Sequence, residues 1–304
     1  MGGAFQGDRV LLGIVGDSAA GKTTLTRGIA DILGEDRVTV ICSDDYHRYG
    51  RRRRAELDIT PLHPECNHLD ILAQHLRLLR AGQPILKPVY NHTYGELDPP
   101  EYVEPREFVI IEGLHGFATR HLRESFDVKV FLDPPVELRS RWKVRRDMDR
   151  RGYREEQVLA EMRRREPDSK EFIAPQRAYA DLVVTFYPPS RQHADDQHLN
   201  VRLVLRPSLV HPNLEPVVGN GDGAIRLHMG RDEGRPVDFV EIDGSVPADE
   251  ARRVEEAIYH HFRLGRGDLP EGMGMLEDGR SDPLALTQLL VTGHLIDARA
   301  AVLV

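Results

Sequence analysis

The stretch that most constrains this chain is Gly16-Asp17-Ser18-Ala19-Ala20-Gly21-Lys22-Thr23, followed by Thr24. It fits G-x-x-x-x-G-K-[ST], a spacing that chance supplies in about one chain per hundred of this length. The flanks remove most of that risk. Arg9 to Val15 is a short apolar run that reads as a buried strand, and a helical pattern follows to about Leu33. Strand, loop and helix in that order are what the motif requires. Glycines let the backbone curl until successive N–H groups point inward at phosphate oxygens. The helix start adds the positive end of its dipole. Lys22 is placed to reach the β- and γ-phosphates of a nucleotide, and Thr23 to offer its hydroxyl to Mg²⁺. The competing reading is a plain glycine-rich turn with a surface lysine.

The rest of the chain supplies the fold for such a loop. Arg37 to Cys42, Phe108 to Ile111, Val128 to Leu132 and Asp181 to Phe186 are further apolar, strand-like runs. Helical spacing lies between them, at Leu69, Leu72, Leu76 and Leu79 and again from about Pro135 to Arg165, with a break at Gly152. Alternation of this kind implies a mainly parallel sheet flanked by helices. Residues 83–106, with Pro84, Pro88, Pro99, Pro100 and Pro105, read as a long functional loop. The last third changes style. Leu199 to Arg206 and residues 236–242 alternate apolar and polar, so antiparallel strands are expected to extend the sheet. Helices are expected from about Ala248 to Phe262 and from Pro283 to Val291. The division expected is a kinase-like core over 1–187 and an extension over 188–304, with residues 187–197 linker-like.

Composition narrows the class. Lys and Arg number 41 against 49 Asp and Glu, a net charge of −8, which argues against a general nucleic-acid binder. No apolar run reaches the ~18 residues of a membrane helix, and the first residues lack a signal pattern, so a soluble cytoplasmic protein is expected. Two strand ends carry acids: Glu112 after Phe108-Val-Ile-Ile, and Asp44-Asp45 after Val38-Thr-Val-Ile-Cys-Ser. Ligands of open α/β sheets bind beyond such ends. One acid can help hold the metal and another can take a proton from an attacking hydroxyl. Asp45 reads equally well as a solvated turn acid. No guanine-reading N-K-x-D and no second ATPase core accompany the loop, which points away from a GTPase or a motor. Between Arg139 and Arg165 eleven cations face five acids, a local charge of +6. That segment reads as a cationic lid over transferring phosphate. His47, Arg48 and Arg51 to Arg54 form a second positive cluster suited to an anionic acceptor.

At this point the residues resemble a known family. Gly16 to Thr24, Ile41-Cys-Ser-Asp-Asp-Tyr-His47, Lys87-Pro-Val-Tyr-Asn-His92, Leu97-Asp-Pro-Pro100, Ile111-Glu-Gly-Leu-His115, Arg146-Asp-Met-Asp-Arg-Arg-Gly152 and Arg165-Glu-Pro-Asp168 look like phosphoribulokinase, within the P-loop kinases that include uridine kinase. The likeness spans about residues 9 to 187, and Val240-Glu-Ile-Asp-Gly244 continues it more faintly. It implies a P-loop kinase fold and transfer from ATP, with Mg²⁺, to O1 of D-ribulose 5-phosphate. By that resemblance Asp44 is the base, Lys22 and Lys143 are catalytic cations, and Thr23 and Glu112 support the metal. His47, Arg51, Tyr90, His92, Arg146, Asp147, Arg151 and Arg165 bind the acceptor or shape the lid, with Asp147 orienting one of the arginines. His115 matches the family without a settled role.

The chain also departs from the plant type, whose switch disulfide joins a loop cysteine to one at the position of Cys42. Here the loop position is Ala20, so that bridge is not expected, and Cys66 offers no clear substitute; a cysteine pair of the family used in partner assembly is absent as well, so the small regulatory partner is not expected. A homodimer is expected. Two other readings stay open: a kinase of uridine or another pentose phosphate, and a nucleotide-sensing regulator without turnover.

Overall fold

The phosphate-loop strand β1 (Val10–Gly16) is buried along its whole length, which is why its seven residues carry no polar side chain. It leads into α1 (Lys22–Leu33). The chain goes on through β2 (Val38–Cys42), α2 (Arg51–Glu56), α3 (Leu69–Arg80), β3 (Ile85–Asn91), β4 (Glu96–Val103), β5 (Phe108–Gly113), α4 (Arg120–Arg123) and β6 (Val128–Leu132). Two helices, α5 (Val136–Arg151) and α6 (Glu155–Asp168), precede β7 (Leu182–Tyr187). The last third holds β8 (Asn200–Leu205), β9 (Ile225–Asp232), β10 (Arg235–Ile242), α7 (Ala248–His261) and α8 (Asp282–Val302). This is a computed structural model, and it describes residues 9–189, 195–215, 223, 225–264 and 268–302.

The main sheet runs β2-β5-β1-β6-β7-β8-β10-β9. Its first five strands are mutually parallel, and the last three join antiparallel. Strand alternation divides the core. Leu12 and Ile14 face a layer containing Leu25 and Ile29 of α1 and Leu289 and Leu290 of α8. Leu11 and Val15 face the other layer, with Leu72 and Leu76 of α3. The closing helix thus packs on the phosphate-loop helix, at the centre of the molecule. No helix among the described residues is long and apolar enough to cross a membrane.

Two readings need correction, at residues 83–106 and at the end of the closing helix. Residues 83–106 are not a loop: β3 and β4 pair antiparallel as a separate two-stranded ribbon. Its prolines are tolerated because each ribbon strand has a free edge and a register shift sits at Pro88, between Lys87 and Val89. The Arg51–Arg54 run begins a helix, α2. The closing helix extends past Val291 to Val302. Strand β9 escaped the sequence reading, since its side chains are mostly exposed and do not alternate. Of the linker-like stretch, residues 190–194 lie outside the described residues, as do residues 1–8, where a signal pattern was sought.

Candidate active site

The phosphate-loop end of the site is built by main chain. Gly21 takes φ of 95° at the start of α1, and no side chain caps that helix. Its first N–H groups are therefore left for an anion. Lys22 Nζ donates to the carbonyls of Gly16 at 2.9 Å and Asp17 at 2.8 Å, folding back across the loop mouth. Thr23 Oγ1 donates to the Glu112 carboxylate at 3.0 and 3.1 Å. Glu112 is buried near the end of β5, and burial raises its carboxyl above the usual range against the pull of Lys22 and Thr23. Hydroxyl and carboxylate side by side are hard oxygen donors, and the acid has no ion-pair partner among the described residues. That donor set fits a hard divalent cation whose other ligands are water and phosphate oxygens. Among the described residues no group of three or more His, Cys, Asp or Glu could hold a metal by itself.

The other end of the site is built by side chains. Asp44 sits on the 3₁₀ turn Ser43–Tyr46 that follows β2. Gly113, with φ of 153°, lets that turn lie against the end of β5; a Cβ there would stand 1.8 Å from Ser43 Oγ and 3.2 Å from Asp44 Oδ1. The two adjacent acids are used differently. Asp45 Oδ1 accepts the Tyr90 N–H at 3.0 Å and Oδ2 accepts Lys87 Nζ at 2.5 Å, which ties the ribbon to the turn. Asp44 makes no ion pair among the described residues, so its lone pairs are open to a substrate.

His47, Tyr90 and His92 stand edge to face, with ring centroids 4.8 Å apart for His47 and Tyr90 and 5.0 Å for Tyr90 and His92. His47 is 3% exposed and shares a 2.7 Å hydrogen bond with Asn67. Burial pushes it down to about 4, so the ring is neutral at pH 7. Arg51 Nη2 donates to the His92 carbonyl at 2.6 Å. The Tyr90 hydroxyl is committed: Arg54 Nη2 donates to it at 2.6 Å, with the guanidinium 5.0 Å from the ring centroid. His115 is also buried, lacks a well-formed hydrogen bond at either nitrogen, and is pushed by burial to about 4.

The α5–α6 segment, expected to act as a lid, lines the remaining side. Lys143 Nζ lies 3.0 Å from Asp147 and 3.5 Å from Ser18 Oγ, which joins lid and loop. Burial, with Arg165 adding to it, lowers Lys143 to about 8 against the pull of Asp147. Asp147 also accepts Arg146 Nε at 2.9 Å and pairs with Arg151 at 3.4 Å. One buried acid thus organises three cations, where the resemblance implied one. Burial would raise Asp147, but Lys143 and Arg146 outweigh it and hold the carboxyl below its usual range. Arg165 Nε is held by Glu161 at 2.7 Å. The other face of α5 carries Arg141, Arg145 and Arg150, which pair with Asp196, Asp278 and Glu277. Three of this segment's eleven cations are therefore paired with acids of the last third of the chain.

A cavity of about 290 Å³ extends from Lys22, Thr23, Asp44 and Glu112 to an apolar wall of Trp142, Phe186, Leu199, Met275 and Leu276. Sequence reasoning missed this wall, and it had Arg54 only as one charge of the Arg51–Arg54 cluster. A lone tryptophan in a highly charged helix was the available signal; Met275 and Leu276 carried none. Gln288 of α8 positions that wall: it donates to the Thr24 carbonyl at 3.0 Å and accepts the Gly274 N–H at 2.7 Å. Cys42 is beside Glu112 in register, and burial, then the Asp44 charge, push its thiol well above the usual range.

Comparison with known proteins gives the family. The model of the phosphoribulokinase / uridine kinase family matches residues 11–191. The chain is 37% identical over 282 residues to a phosphoribulokinase of Synechocystis, covering 86% of this chain and 83% of that protein. It is 33% identical to a uridine kinase of Chloroflexus aggregans, covering 59% of this chain and 88% of that one. A solved phosphoribulokinase from Rhodobacter spheroides superposes with a TM-score of 0.58 over 84% of this chain and 97% of that one, at 18% identity, a likeness of fold. The phosphate loop, the two strand-end acids and the cationic lid thus sit within a match that spans more than half of the chain, which belongs to the phosphoribulokinase / uridine kinase family.

Proposed function

We propose that this chain transfers the γ-phosphoryl group of ATP to O1 of D-ribulose 5-phosphate, giving ribulose 1,5-bisphosphate. ATP as co-substrate with a divalent metal follows from the family. Mg²⁺ is our assignment, on the oxygen donors of Thr23 and Glu112. The metal would neutralise charge on the bridging phosphate oxygens. The observation that favours a pentulose phosphate over uridine is the reach of the similarity. The phosphoribulokinase likeness covers 86% of the chain and so includes the last third, whereas the uridine kinase likeness covers 59%.

In this reading the loop amides and Lys22 hold the triphosphate while Asp44 takes the O1 proton. His47, Arg51 and His92 bind the acceptor, and Tyr90, fixed by Arg54, orders their rings. Lys143, Arg146, Arg151 and Arg165 stabilise the transferring phosphoryl charge, with Asp147 holding the first three. Transfer is in line and depends on position and charge rather than on a covalent intermediate. The lid comprises about 139–165, and residues 188–304 extend the core. We further propose a cytoplasmic homodimer, which light scattering and cell fractionation can check. The deciding experiment measures ADP release with ribulose 5-phosphate, ribose 5-phosphate and uridine. The reading requires ribulose 5-phosphate to give the highest kcat/KM, with a bisphosphate product; a preference for uridine would sink it.

A further inference from the structure

Asp17 occupies the first variable position of the phosphate loop, where a carboxylate has the wrong charge for a phosphate cradle. Its side chain engages the lid. Oδ1 accepts the Ser18 N–H at 2.5 Å. Oδ2 meets the Arg139 guanidinium, in the first turn of α5, and the Ser169 hydroxyl, at the residue after α6. Helices α5 and α6 form a hairpin that leaves the core at Pro135 and returns at Ser169. Arg139 and Ser169 are therefore its two roots, and one carboxylate of the loop holds both.

The surroundings make the contact consequential. The Arg139 and Asp17 side chains are 16% and 15% exposed, so their attraction is less screened than that of a surface pair. The return root is irregular: Pro167 lies in the last turn of α6, and Ser169–Ile173 is a π-helical turn. Such turns concentrate at functional bends. A cavity of about 340 Å³, lined in part by Leu159, Met162 and Ile173, lies against the roots. Tight packing therefore does not set the lid angle alone.

We infer that Asp17 is a positioning residue whose carboxylate pins both roots of the lid to the phosphate loop. It sets the angle at which Lys143 and Arg146 meet the transferring group. The inference rests on the transfer reading above. A lid freed from the loop excludes water poorly, so ATP is hydrolysed without reaching the acceptor.

The test uses Asp17→Asn, Arg139→Gln, Ser169→Ala and the Asp17→Asn/Arg139→Gln double variant, comparing ADP formed with bisphosphate formed. Wild type is expected to give one product per ADP. Each single variant should lose about tenfold in kcat, keep its KM for ATP within about threefold, and release ADP in excess of product. The double variant should be no worse than the poorer single, because both remove one contact. A second readout needs no acceptor. Trp142, the chain's sole tryptophan, lies on α5, and acrylamide should quench it more in the nucleotide-free variants than in wild type. Normal coupling with normal quenching in all three single variants overturns the pin. So does a raised KM for ATP with coupling intact, which would make Asp17 part of the nucleotide site alone. If wild type makes no product yet quenching still rises in the variants, the transfer reading falls and the pin stands.

Discussion

At the proposed nucleotide end of the site, geometry is held by consecutive residues whose main chain would do the binding, and the required torsions are written locally, as at Gly21. At the proposed acceptor end the groups assigned to the reaction come from the turn at 43–46, from β3 and from α5. Each is held by a partner outside its own segment or a turn away: Asp44 by the space Gly113 leaves, Tyr90 by Arg54 and Asp45, Lys143 by Asp147. Main chain suits a ligand part common to all nucleotides, whereas side chains can be varied to choose an acceptor. Substitutions at the two ends should therefore have different kinetic signatures.

The sharpest contrast is expected from Asp44→Asn. Loss of a general base costs about 10²- to 10⁴-fold in kcat. The KM for ATP should stay near wild type, because the amide cradle is untouched. A variant with wild-type turnover would break the division, since the proton would then leave by another route.

Arg51→Ala should act on the acceptor alone. Losing one charge-assisted contact of ~1.5–3 kcal/mol raises the KM for ribulose 5-phosphate roughly 10- to 100-fold. Initial-rate kinetics with the sugar varied at saturating ATP would show it. An unchanged KM removes Arg51 from the acceptor site.

The buried histidines near the proposed acceptor end add a pH dependence. His47 and His115 are pushed down to about 4 by burial, against about 6.5 in an unfolded chain. Between those values the unfolded state binds more protons. Their contribution is complete above about pH 6.5 and is lost as pH falls toward 4. Denaturant titrations at pH 7.5 and pH 5 should differ by on the order of a few kcal/mol. His115→Leu should flatten that slope, and an equal slope in the variant would exclude His115 as a cause.

The smallest effect is expected at the apolar wall. Met275→Ala removes apolar contact from the nucleotide cavity. It should raise the KM for ATP about 5- to 10-fold, on the scale of ~1 kcal/mol, and leave the KM for the sugar phosphate unaltered. A shift in the sugar KM instead would move that wall to the acceptor end.

Several of these parts are legible in the order of residues. The phosphate loop is, because its chemistry is a contiguous pattern and its strand and helix flank it directly. The parallel strands are, because burial on both faces forces runs such as Val10-Leu-Leu-Gly-Ile-Val. The β3–β4 ribbon is hidden by its prolines, which bar a central strand and leave a free-edged one possible. β9 is hidden because most of its side chains face water, so neither period shows. The twin role of Asp45, tied to Lys87 and Tyr90, cannot be told from that of Asp44 without the ribbon in place.

What the sequence determined by itself is the loop, the alternation that builds the sheet, and the local excess of positive charge from 139 to 165, since each depends on neighbours within a turn or a strand. The tertiary structure alone decided which of these cations meet acids of the last third and which keep only the partner on their own helix. Arg141, Arg145 and Arg150 are neutralised by acids beyond residue 195, while Lys143, Arg146 and Arg151 gather on Asp147. Charge along the chain is a count, but the field at a phosphate depends on which opposite charges folding brings within a few ångströms.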